Sequence, residues 1–241
     1  MITIAVAQPR CTPYDVAANV AAHAEAVRAA GARVVVFPEL SLTGYHFDAP
    51  VVPFSMLEPL VVACAETGTV ALAGAPVGLV GGAGAGGVGI GVLEVTGAGV
   101  RVAYRKMWLG GGEAVRFRPG DAPAVVEVDG VRLGLAVCKD TGVPRHAADT
   151  VALGVDVYVA GMLEHMWGSG VLDERARRVA AEHGVWVAMA SFAGTTGEGY
   201  ESAAGRSAVW DSSGGMIGRA GTEVDAVVRA VIPGRSTDGG A

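Results

Sequence analysis

Short apolar runs of strand character recur so often in this chain that a single open sheet does not hold them comfortably. Residues 2–7, 33–37, 69–75, 88–95, 100–104, 124–128, 131–137, 155–160, 185–190, 207–210, 215–218 and 224–231 all read this way. That is more than ten strands, and open twisted sheets rarely exceed roughly ten. Helical patterns lie between them. Asp15 is placed to cap a helix running to about Ala30, with Val16, Val20, Ala24 and Val27 on one face and Gly31 ending it. Residues 54–66 read as a second helix, residues 143–153 as a third entered at Pro144, and Asp173 as the cap of a fourth ending at His183 and Gly184. Amphipathic helices need a sheet face to cover. The pattern therefore predicts a layered α/β fold, with two mixed sheets packed together and helices outside. Asp129-Gly130 predicts a tight hairpin. No strong linker divides the chain, so residues 1–241 are expected to form one domain, with 236–241 frayed.

Composition excludes several functions. The formal net charge is −6 and no basic run exceeds Arg177-Arg178, so neither a nucleic-acid partner nor an anionic membrane surface is expected. Residues 67–93 carry no charge, which a hydropathy window reads as a membrane span. Gly74, Pro76, Gly78 and the cluster from Gly81 to Gly91 argue instead for two buried strands joined by a glycine-rich loop. That loop lacks the lysine and helix of a phosphate loop. Three cysteines, Cys11, Cys64 and Cys138, are too few and too irregular for a disulfide framework or a metal cage. The chain opens on a strand pattern with no basic n-region or cleavage site, so a cytoplasmic setting that keeps a thiol reduced is expected.

Three apolar strands deliver chemistry at their ends. Residues 33–37 run through Pro38 into Glu39, residues 100–104 run through Arg105 into Lys106, and residues 131–137 run into Cys138. Lys139-Asp140 follows the thiol and marks the chain leaving the core. A buried cysteine alone reads equally as a small apolar residue, and a lysine beside Arg105 reads as a surface charge. Glu39 is followed by an apolar-biased loop that favours packing over solvation, so a carboxylate with a raised pKa, able to act as a general base, is expected there beside the alternative of a solvated turn residue. Glu113 is a further candidate carboxylate. His46, His146, His165 and His183 lack metal-site spacing, but His165 is placed to line a pocket near a strand end. No dinucleotide fingerprint follows the first strand, and the serine-hydrolase elbow is absent.

Taken in order, these segments resemble a known family. Phe37-Pro38-Glu39-Leu40 with Thr43-Gly44-Tyr45, Tyr104-Arg105-Lys106-Met107-Trp108-Leu109 continued by Glu113, Phe117, Pro119 and Gly120, and Gly134-Leu135-Ala136-Val137-Cys138-Lys139-Asp140 are similar to the three signatures of the nitrilase-like carbon–nitrogen hydrolases. Weaker likeness extends over residues 2–232, including Ala7-Gln8-Pro9, Glu174-Arg175-Ala176 and Gly205-Arg206-Ser207. The resemblance implies a four-layer α-β-β-α sandwich, generally paired into a homodimer. It implies Cys138 as nucleophile, Glu39 as general base, Lys106 and the Lys139 backbone N–H as oxyanion donors, and Glu113 as the group that orients the substrate. No metal or organic cofactor is needed. The expected partner is a small amide, hydrolysed with release of ammonia or an amine. N-carbamoyl amino acid hydrolysis and ω-amidase activity are the alternatives, with Arg145 or His165 receiving a substrate carboxylate. A nitrilase, or a non-catalytic binding member, ranks behind them. Tyr45 is a further pocket candidate.

The chain departs from the common pattern after its nucleophile. It reads Lys139-Asp140-Thr141-Gly142-Val143-Pro144-Arg145, where relatives carry an aromatic after the cysteine and a glutamate at the last position, and Ser191 stands where an asparagine is common. The chain ends soon after its last strand, so on this resemblance a simple dimer is expected rather than a filament.

Overall fold

The structure is a computed structural model that describes residues 1–79, 87–168 and 170–233. In chain order the first strands are β1 (Ile2–Gln8), β2 (Val34–Val36), β3 (Val70–Gly78), β4 (Val88–Thr96) and β5 (Gly99–Arg105). They are followed by β6 (Val125–Val128), β7 (Val131–Val137), β8 (Val157–Met162) and β9 (Trp186–Ser191). A short separate ladder, β10 (Ala193–Gly194) with β11 (Ala203–Ala204), precedes β12 (Ala208–Trp210), β13 (Met216–Arg219) and β14 (Ala226–Ile232). Four α-helices are described: α1 (Val16–Ala30), α2 (Glu58–Thr67), α3 (Pro144–Val151) and α4 (Gly170–His183).

The strands form two six-stranded sheets, ordered β14-β1-β2-β3-β4-β5 and β13-β12-β9-β8-β7-β6. Each has the same plan. Three parallel strands, β1-β2-β3 in one and β7-β8-β9 in the other, are flanked by antiparallel neighbours. Parallel strands buried on both faces explain why these segments read as nearly unbroken apolar runs.

Three apolar clusters fill the three gaps between four layers. Ile4, Val6, Val36 and Leu72 meet Leu133, Leu135, Val157 and Val159 between the sheets. Ala5, Ala7, Val35 and Ala73 turn the other way, towards Val20, Val27, Leu57 and Leu60. On the far side, Ala136, Ala160, Val187 and Met189 pack under Leu172, Ala176 and Val179. Alternation along β1 thus places large side chains between the sheets and alanines under the helices. The arrangement is the α-β-β-α sandwich with two mixed sheets expected from the sequence.

Local expectations hold where a specific side chain enforces them. Asp15 caps α1 by accepting from Ala18 N, and Gly31 closes it at φ 55°. Asp129 and Gly130 turn the β6–β7 hairpin at φ 51° and 77°. Residues 67–93 hold β3 and β4, and among the described residues no helix is long and apolar enough to cross a membrane. Other boundaries moved. α4 begins at Gly170, so Asp173 lies inside its first turn, where it pairs with Arg219 instead of capping. The second helix opens as a 3-10 turn over Phe54–Leu57. The glycine cluster at 81–86 and the tail at 236–241 lie outside the described residues.

Candidate active site

The parallel strands of both sheets end on one side, and the turn carrying Glu39 is wedged there between them. Leu40 adopts φ 50° although fully buried, a conformation that the surrounding contacts must hold. Ser41 N donates to Pro38 O at 3.3 Å and Leu42 N to Gly74 O at 3.0 Å. Two glycines make the fit possible. A Cβ on Gly74 of β3 would sit 2.3 Å from Pro38 O, and one on Gly161 of β8 would sit 2.8 Å from Phe37 O. Gly74→Ala should therefore displace the Glu39 turn, costing about 1–3 kcal/mol of stability together with most of the activity. Thermal unfolding and turnover of that variant check this, and an unchanged catalytic rate would refute it.

Lys106 is aimed by an irregularity in pairing. Leu93 of β4 pairs with Val102 and Val92 with Tyr104, so Ala103 is an extra residue opposite this step. The bulge turns Tyr104 and Lys106 inward together. Lys106 is 1% exposed, against the surface position that its neighbour Arg105 suggests. Arg105 keeps that role and pairs with Asp121 at 2.9 Å.

Cys138 follows the last residue of β7 at φ 40° and opens a 3-10 turn over Cys138–Gly142. A non-glycine residue in this region points to a position under constraint. Its half-buried thiol donates to Leu163 O at 3.3 Å. Lys139 N–H stands at the start of the same turn, where amide hydrogens have no partner within the helix.

Three charges are brought together in the interior. Lys106 Nζ lies 2.6 Å from Glu39 Oε1 and 2.6 Å from Glu113 Oε1. Tyr45 OH donates to Glu113 Oε1 at 2.7 Å, and Gly110 N donates to Glu113 Oε2 at 2.5 Å. Glu39 Oε2 is buried and has no partner among the described residues. Two carboxylates share one ammonium, and the proton affinities separate. Burial, opposed by Lys106 and reinforced by Glu113, raises Glu39 to about 7. Burial also acts on Glu113, but Lys106, Tyr45 and the Gly110 amide outweigh it and hold this carboxyl below its usual value. Burial pushes the Cys138 thiol up to about 12, with Glu39 adding to the shift and Lys106 opposing it. Burial alone would lower Lys106, but the two carboxylates keep it raised and protonated.

Aromatic rings wall the approach. His165 is stacked on Tyr200 at 4.0 Å and on Trp167 at 4.9 Å, while Tyr200 meets the edge of Tyr45 at 5.4 Å. Tyr200 and Trp167 carry no local sequence signal for this role; long-range packing alone brings them here. Among the candidate pocket residues, Tyr45 joins the charged cluster and His165 lies on this wall. Arg145 is not brought to the site: its side chain is 83% exposed on α3 and pairs with Asp149 at 3.3 Å. The Lys139 ammonium donates to Leu109 O at 2.7 Å. Ser191 is fully buried at the end of β9, with its amide on Ser207 Oγ at 2.8 Å. Asp140, which marks a departure from the core at the level of sequence, is itself fully buried. Among the described residues no three His, Cys, Asp or Glu side chains converge as a metal cage would.

Comparison with known proteins gives three results. The model of the family described as carbon-nitrogen hydrolase matches residues 3–237. No curated protein matches the chain. Among solved structures, a cysteine-to-alanine mutant of the Nesterenkonia AN1 amidase from the nitrilase superfamily superposes with a TM-score of 0.81 at 23% identity, covering 95% of this chain and 89% of that one. Another form of that amidase, carrying acrylamide added to its active-site cysteine, gives 0.81 at 23% identity, with 97% and 94% covered. Saccharomyces cerevisiae Nit3, a member of branch 10 of the nitrilase superfamily, gives 0.81 at 20% identity, with 96% and 89% covered. At these identities the structural likeness speaks for the fold.

Proposed function

The chain belongs to the carbon–nitrogen hydrolase family, and on that premise we propose that it cleaves the non-peptide C–N bond of a small neutral carboxamide through a thioester on Cys138. What carries this reading is a pair of complementary groups: a buried Glu39 oxygen with no partner among the described residues and a thiol that burial keeps protonated. Neither is useful at rest. Together they allow the Cys138 proton to pass to Glu39 as sulfur adds to the amide carbon. The carbonyl electron pair moves onto oxygen. Lys106 has three N–H donors, two of them directed at Glu39 and Glu113, which leaves one for the oxyanion beside the Lys139 N–H. Collapse breaks the C–N bond, and Glu39 returns its proton to the departing nitrogen. Water, deprotonated by Glu39, then attacks the thioester. The thiolate leaves and recovers the proton, and the acid product departs. Glu113 anchors Lys106 and accepts from the substrate amide.

The neutral acyl group follows from where the cations lie. N-carbamoyl amino acids and ω-amides of ketoacids carry a carboxylate that needs a positive partner. Arg145 is engaged on the outer helix, the Lys139 ammonium is held by Leu109 O, and both faces of the His165 ring are covered by Tyr200 and Trp167. A panel of neutral amides, carbamoyl amino acids and nitriles, scored by ammonia release and by mass addition at Cys138, tests the proposal. Neutral amides should lead. Preference for a carboxylate-bearing substrate or a nitrile, or turnover without addition at Cys138, would overturn it.

The pH profile gives a second test. Glu39 must be ionised to act as base, so kcat/KM should fall as pH drops through its raised pKa, about 7. The Glu113 charge contributes to that elevation. Glu113→Gln removes it, so the acid limb should move to lower pH even as the maximal rate falls. A limb that stays in place or moves upward would argue against Glu39 as the base.

A further inference from the structure

Asp140 has no part in the reaction just described, yet it is fully buried two residues beyond the nucleophile. Its Oδ1 accepts from Trp108 N at 2.9 Å. Its Oδ2 accepts from Val137 N at 2.9 Å and from the Tyr104 hydroxyl at 2.7 Å. The positions of these donors matter. Tyr104 and Trp108 flank Lys106 at two residues on either side, and Val137 immediately precedes Cys138. Lys106 leaves one sheet and Cys138 the other, so one carboxylate ties together the two segments whose spacing the chemistry depends on.

The contacts continue outward. The Tyr104 hydroxyl is 2.9 Å from His146 Nε2, and His146 Nδ1 is 2.7 Å from the Tyr158 hydroxyl. Their directions follow from donor inventory. An ionised carboxylate only accepts, so Tyr104 gives its proton to Asp140 and its oxygen takes one from Nε2–H. Neutral imidazole then presents Nδ1 as acceptor, and Tyr158 donates to it. Burial lowers the proton affinity of His146 and so favours that neutral form. His146 also meets Trp108 edge-on at 5.4 Å. Tyr158→His146→Tyr104→Asp140 is thus a chain of donors ending on the carboxylate, with each end anchored in packed structure.

We propose that Asp140, oriented by Tyr104, His146 and Tyr158, is a positioning residue that sets the separation of Lys106 and Cys138 and the aim of the Lys139 N–H. The inference rests on the proposed thioester chemistry for its catalytic meaning, but its geometry does not. Asp140→Asn is the informative change. An amide offers one oxygen to three donors. With that oxygen at Oδ2, the NH2 group opposes Trp108 N–H; with it at Oδ1, the NH2 group opposes Val137 N–H. Either way one of the two segments is released. A displacement of about 1 Å at a reacting centre costs roughly 100-fold in rate.

The experiment compares wild type, Asp140→Asn, Tyr104→Phe, the double variant, His146→Gln and His146→Phe. Readouts are kcat and KM on the amide best turned over by wild type, and the rate of Cys138 alkylation by iodoacetamide located by peptide mass. Asp140→Asn should lose about 100-fold in kcat with KM within about threefold and alkylation slowed. The double variant should be no worse than Asp140→Asn, because both break one chain. His146→Gln, which retains a donor for Tyr104, should recover most of the kcat lost in His146→Phe. Wild-type kcat and alkylation in Asp140→Asn, additive losses in the double variant, or equal losses in the two His146 variants would overturn the proposal. If Asp140→Asn fails to fold, Tyr104→Phe carries the same test. Should wild type hydrolyse no amide, the proposed function fails, while the alkylation rates still decide the positioning role.

Discussion

Cys138→Ala should abolish turnover, by at least about 10⁴-fold, and leave the thermal transition almost where it was. Loss of a covalent nucleophile removes the path itself, not one contribution to it, and in comparable systems single removals approach the effect of losing the whole constellation. Stability responds differently. The thiol is half-buried and makes one long contact, 3.3 Å to Leu163 O. Trading sulfur for hydrogen there forfeits little packing, on the order of 1 kcal/mol or less. The opposite pattern, a large fall in melting temperature with activity retained, is what a purely structural cysteine would give. Ammonia release and thermal unfolding of the same preparation separate the two, and intact mass after incubation with amide should show addition to wild type alone.

Part of this site is legible in the sequence because strands carry their own ends. Apolar runs mark β2, β5 and β7, and Glu39, Lys106 and Cys138 follow within three residues of their ends, at one rim of a layered fold. Lys106 shows where that reasoning stops. Beside Arg105 it has the local pattern of a surface lysine, and only the extra residue Ala103 in the β4–β5 pairing turns it inward with Tyr104. Asp140 shows a second limit. A carboxylate after a buried strand reads as the return to solvent, but Tyr104 OH and Trp108 N–H from a distant segment join the nearby Val137 N–H in compensating its burial, and the distant pair is not visible locally. The stack of Trp167, His165 and Tyr200 has the same origin. The β10–β11 ladder is built of alanines and a glycine, which carry no strand preference, so pairing alone defines it.

Lys106→Met should be the most damaging of these substitutions for stability, and it should cost rate as well. In the native site one ammonium compensates two carboxylates, all three side chains being no more than 2% exposed. Removing it leaves two buried negative charges with no counter-ion, and breaking such a pair costs about 3–5 kcal/mol. The dependence on pH gives the argument its sign. Lys106 lowers the proton affinity of both Glu39 and Glu113, so without it Glu39 rises further above its unfolded value and Glu113 loses the strongest influence that holds it below its own. A carboxyl whose folded pKa is raised favours the folded state at pH below the unfolded value, and that advantage is lost as pH climbs through the folded one. The deficit of Lys106→Met relative to wild type should therefore be small near pH 4.5, the ordinary value for these groups, and grow towards pH 8. Thermal unfolding of both proteins across that range measures it. Adding Glu113→Gln to Lys106→Met should restore part of the stability at high pH, since one orphaned charge is gone, but none of the activity, since the ammonium proposed to meet the oxyanion is still missing. A deficit independent of pH would mean that Lys106 serves the fold through packing of its stem, and the electrostatic account of the site would fail with it.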